Sequence, residues 1–121
     1  MAAGQRLETA EFLLKHGYNL DAKYFAGYVV ECALKALILR FTPEQDQAAK
    51  LIQLKTHKLE RLVVLLRELG NPIPLRLVER IRRSDWSTEL RYEVGRIDTG
   101  ETRGYLKTVR TIYHWVEGQL P

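Results

Sequence analysis

Cysteine and histidine are scarce in this chain, and the scarcity closes off whole classes of chemistry. The single cysteine, Cys32, excludes an intrachain disulfide. Lying inside an apolar stretch, it reads as a buried thiol that behaves as a small hydrophobe and is ill placed to ionise as a nucleophile. The three histidines, His16, His57 and His114, are far apart and form no cluster at metal-ligand spacing with it. There is no glycine-rich phosphate loop of the Walker or dinucleotide kind and no G-x-S-x-G elbow. No metal and no cofactor are therefore expected, and the readily recognised enzyme classes drop out. Long apolar runs are missing too, and MAAGQRLETAEF carries no charged segment followed by an apolar one. The expectation is a cytoplasmic protein, neither exported nor membrane-spanning.

The formal net charge of +4 is spread evenly. Lysine plus arginine against aspartate plus glutamate stands at 5 to 4 over residues 1–40, 5 to 4 over 41–70, 7 to 6 over 71–103 and 2 to 1 over 104–121. Without a basic tail or an acidic block, net charge by itself gives little reason to expect nucleic acid. A length of 121 residues suits one domain, residues 1–121, able to bury a core without disulfides. No repeat, linker or low-complexity segment divides it.

What is present in abundance is helical periodicity. Tyr24 to Leu39 carries charge only at Glu31 and Lys35, so the spacing predicts a central helix from Ala22 to Arg40, apolar nearly all the way round and hence buried. Glu31 and Lys35 stand four apart on one face, one turn after Gly27, and that stripe must meet water, a partner or a ligand. Asn19 and Asp21 are candidate N-caps. Before this helix, Leu7, Ala10 and Leu14 make an amphipathic helix of Gln5 to His16, stopped by Gly17. After it, Thr42-Pro43 ends the helix, and 44–55 reads as a loop with one or two helical turns. From the candidate cap Thr56, Leu59, Leu62, Val63, Leu66 and Leu69 mark another helix up to Gly70.

The rigid turn Asn71-Pro72-Ile73-Pro74 opens a helix with Leu77, Val78 and Ile81 on one side and Arg76, Arg80 and Arg83 on another. That arginine ridge is read as a solvated face helped by Glu79–Arg83 pairing, with a phosphate-facing role as the alternative. From Ser84 the period is lost, and SDWSTELRYEVGRIDTG sets Trp86, Arg91, Tyr92 and Arg96 among turn-formers. Asp98 or Thr99 can cap a last helix running to about Gly118. Its stripe is Leu106, Val109, Tyr113, Val116 and Leu120, and Lys107, Arg110, His114 and Glu117 share another side.

Taken together, the amphipathic first helix, Ala22 to Ile38 (AKYFAGYVVECALKALI) with its E-x-A-L-K-A-L run from Glu31, Thr56 to Leu62 (THKLERL) and Leu90 to Tyr92 (LRY) before a long last helix resemble the HEPN family. The resemblance spans most of the chain. It implies an all-α fold, an up-and-down bundle of four to five helices, commonly a homodimer. It further implies a nucleotide or RNA as ligand and a minimal nucleotidyltransferase as partner in a toxin–antitoxin-type two-component system. Nuclease members are similar in carrying an arginine followed, after four to six residues, by a histidine; here the nearest pair, Arg110 and His114, has only three residues between.

Three functions follow. The favoured one is a non-nucleolytic binding module, its site formed where Glu31 and Lys35 meet Trp86, Arg91, Tyr92 and Arg96. There Arg91 would grip phosphate or carboxylate through its planar fork, and an aromatic ring would stack on a base. The plainer version of this arrangement is an ion-pair network of Glu31, Lys35 and Arg91 that only locks the irregular segment down. The second function is a ribonuclease with a displaced pair, Arg110 with His114 or Arg91 with Glu31, since metal-independent cleavage needs a base near the 2′-hydroxyl and a cation near the phosphate. The third is a structural dimer or adaptor with Tyr24, Tyr28 and Tyr113 at the interface.

Overall fold

Two glycines set the corners of the chain. The computed structural model describes residues 2–84 and 99–120, the side chains of Ala2, Ala3, Ser84 and Thr99 apart. The first helix, α1 (Ala2–Lys15), ends where Gly17 adopts φ 85°, with Gly17 N–H donating to Leu14 O and Tyr18 N–H to Leu13 O. That is a Schellman closure, which satisfies the last carbonyls of a helix and needs a left-handed residue. The same pair of bonds recurs at Gly70, φ 76°, through Arg67 O and Leu66 O at the end of α4 (Leu59–Glu68). An added Cβ meets no atom within 4 Å at either glycine, so a substitution there is opposed by backbone strain alone. Gly17→Ala and Gly70→Ala are each expected to cost about 1 kcal/mol, a fall of roughly 3–5 °C in Tm by thermal unfolding. An unchanged Tm would show that these corners do not hold the turns.

Helix α2 (Asn19–Phe41) is longer than its apolar period suggests. Asn19 and Asp21 are inside its first turn rather than capping it: Tyr18 occupies the cap position and no side chain bonds there, while Asp21 places its charge near the positive end of the dipole. At the other end Thr42 Oγ1 donates to Ile38 O at 2.7 Å, and Gln47 Nε2 reaches Leu39 O and Thr42 O at 3.3 and 3.4 Å. The 44–55 stretch holds a single 3-10 turn (Glu44–Asp46) and the short α3 (Gln47–Gln53). Thr56 does not cap α4, which starts at Leu59; its hydroxyl accepts from Lys58 N–H at 3.2 Å and turns the chain three residues earlier. Pro74 opens α5 (Leu75–Ser84), its carbonyl accepting from Leu77 and Val78 N–H, and α6 (Thr99–Gln119) closes the bundle.

Helix α2 packs most extensively on α1, then on α6, then on α4, while α5 joins α4 to α6. Leu34, Leu37 and Ile38 of α2, Leu62, Leu65 and Leu66 of α4, Leu77 of α5 and Val109, Ile112 and Val116 of α6 are all sealed from water. Ala10, Ala22, Ala26 and Ala33 are also fully buried, and such small side chains permit close helix approach. Among the described residues there is no strand, and no helix is long and apolar enough to cross a membrane.

Candidate functional site

The polar stripe of α2 does not face open water. Glu31 is 4% exposed, and both carboxylate oxygens are engaged: Oε2 accepts from Lys35 Nζ at 3.1 Å, and Oε1 lies 2.8 Å from His57 Nδ1. An ionised carboxylate can only accept, so His57 must carry its proton on Nδ1, which leaves Nε2 with a lone pair whenever the ring is neutral. The His57 side chain is 58% exposed and the Lys35 side chain 24%. The acid is therefore the buried anchor, and Lys35 and His57 are its surface.

Aromatic rings surround this anchor. Tyr28 stands edge-on to His57 with centroids 6.0 Å apart and interplanar angle 84°, and the Arg6 guanidinium of α1 lies 5.4 Å from the Tyr28 ring centre. Tyr24 Oη donates to Tyr28 Oη at 3.0 Å. Cys32, half-buried rather than enclosed, sits beside the same group. Burial pushes its thiol above the ordinary value; Glu31 adds to the rise, and Arg6 and Lys35 pull against it. That disfavours the thiolate that attack would need, as its apolar setting suggests.

The structure thus joins Glu31 to Lys35, as their spacing predicts, and adds His57 and Arg6, which sequence reasoning left aside. The available signal for His57 was the Thr56-His57 pair before α4. Trp86, Arg91, Tyr92 and Arg96, like Asp98, lie outside the described residues. Tyr24 and Tyr28 are half-buried on the rim of the cluster. Tyr113 packs against α1, with its Oη 2.9 Å from where a Gly4 Cβ would stand.

Arg110 and His114 are not brought together. Arg110 donates through Nε (3.1 Å) and Nη2 to Glu11 of α1, and His114 Nδ1 lies 3.0 Å from Glu117. His16 lies against Phe12, the rings tilted by 44° with centroids 4.3 Å apart. The arginine ridge also behaves differently from its periodicity: no Glu79–Arg83 pair forms among the described residues, while Arg82, off the ridge, pairs with Glu60 of α4 at 3.0 Å. Among the described residues no three metal-ligating side chains gather.

The described residues form an all-helical bundle whose central helix holds a buried acid between a lysine and a histidine. A family model described as HEPN domain matches residues 2–119, and the chain belongs to the HEPN family. Comparison with curated proteins and with solved structures gives no match.

Proposed function

We propose that this protein is a non-nucleolytic HEPN module whose Glu31 cluster binds a nucleotide-like ligand or a minimal nucleotidyltransferase partner of a toxin–antitoxin-type pair, and that it acts as a homodimer. The observation that carries the ligand reading is the buried Glu31 carboxylate holding Lys35 and His57 at the surface. Fixed donors lose little freedom when a phosphate arrives, and Arg6 and Lys35 outnumber the single acid. Tyr28 offers a ring face or edge for a base. On side-chain chemistry alone, Trp86, Arg91, Tyr92 and Arg96 remain the second arm of this proposed site.

Titration calorimetry with a panel of nucleoside mono-, di- and triphosphates tests the reading. The expected result is saturable binding that weakens at least tenfold in Lys35→Met, about 1.4 kcal/mol. If no nucleotide binds, the ligand site is lost and the cluster is only an internal lock.

One observation favours the runner-up. A histidine whose Nδ1 is tied to a carboxylate presents Nε2 as a base, with Lys35 as the nearby cation, so His57 and Glu31 form the more coherent nuclease pair. Incubation with labelled RNA separates the two readings. Intact RNA is expected; cleavage abolished by His57→Ala would replace the binding reading with a ribonuclease.

A further inference from the structure

On another side of α2, a cleft of about 210 Å³ opens between α5 and α6, lined among others by Lys23, Arg80, Arg83, Gly104, Tyr105 and Thr108. Its charge is unbalanced. Lys23 projects from the central helix with a side chain only 10% exposed. Its ammonium reaches one carboxylate, Glu101 at 3.9 Å, which is beyond hydrogen-bonding distance, and lies 5.7 Å from the Tyr105 ring centre. Arg80 and Arg83 face the same space, and among the described residues neither has an ion-pair partner. Among the described residues, three cations and one acid thus share one recess. A buried ammonium is costly unless it is well paired, and this one is held loosely with two like charges beside it.

The floor is equally unusual. Gly104 lies inside α6, where glycine is costly to the helix, yet a Cβ added there meets nothing within 4 Å. Gly104 is exposed, and among the described residues no atom stands over it.

We propose that this cleft is an anion site that takes a phosphate group, with Lys23 at its base and Arg80 and Arg83 as the gripping forks. Thr108 lies on the same wall, its hydroxyl donating to Gly104 O at 3.3 Å. The volume is below that of sites that enclose whole small molecules, so the cleft accepts one phosphate or a pyrophosphate, with the rest of any larger ligand outside. This use absorbs two members of the arginine ridge and is independent of the Glu31 cluster.

Calorimetry with inorganic pyrophosphate at constant ionic strength tests it. The wild-type protein is expected to bind one equivalent saturably. Arg80→Gln/Arg83→Gln is expected to weaken binding at least tenfold, and Arg76→Gln, on the same ridge but outside the cleft, less than twofold. Gly104→Leu is the sharper variant, because it removes no charge: it is expected to weaken binding at least tenfold with Tm unchanged or raised. Lys35→Met is expected to leave pyrophosphate binding intact, which separates this site from the nucleotide reading. Absence of heat, equal losses in Arg76→Gln and the double variant, or full binding by Gly104→Leu would each overturn the proposal. Where pyrophosphate binds, a 5′-phosphorylated oligoribonucleotide that outbinds its 5′-hydroxyl twin makes the source a nucleic-acid end. Equal binding or none makes it a free or nucleotide-borne phosphate.

Discussion

Lys35→Met combined with His57→Phe is expected to destabilise the protein by about 3 kcal/mol or more, while Glu31→Gln costs only about 1 kcal/mol, although both disrupt the same two contacts. The asymmetry comes from burial. When Glu31 loses its charge, Lys35 and His57 are already 24% and 58% exposed and can turn to water. When they are removed instead, a carboxylate 4% exposed is left without a cation and cannot reach solvent without moving α2. Urea unfolding of the two variants gives the comparison directly. The reverse order of midpoints, or equal ones, would show that Glu31 is not the anchor.

Leu34→Ala is expected to cost about 3 kcal/mol, roughly 10 °C or more in Tm. Leu34 is fully buried on the helix that packs on α1, α6 and α4, so no single neighbour can close the space left by the three lost carbons. Leu51→Ala, at a position 52% exposed on α3, is the control and is expected to change Tm by no more than about 2 °C. Calorimetric unfolding reads both. A Leu34→Ala protein as stable as the control would mean that the central helix is not where the core is held.

The scaffold was legible because its signals are local. Sixteen residues of α2 with two charges can only be a buried helix, and the stripes Leu59 to Leu69 and Leu106 to Leu120 each announce a face. Glu31 and Lys35 were legible as a pair for the same reason, since four residues of helix bring them together whatever the fold. Their third member was not. His57 stands 26 residues from Glu31, and no pattern within α2 or α4 encodes the turn that carries it there. Lys23 shows the same limit in the other direction: one charge near a helix start looks solvated until α6 covers it with Tyr105. The predicted Glu79–Arg83 pair does not form among the described residues, since a surface pair one turn apart is worth too little to dictate rotamers; the ion pair of α5 with α4 is Arg82–Glu60 instead. Helix ends differ as well: Asn19 and Thr56 have the composition of caps, but the chain closes those corners with backbone bonds and an ST-turn.

Lys23 and Glu31 are carried by one uninterrupted helix, eight residues apart, which fixes them at about 12 Å along the axis. A stiff rod has no joint between those points. The two recesses therefore keep one spacing whether or not either is occupied, and each can fill without rearranging the other.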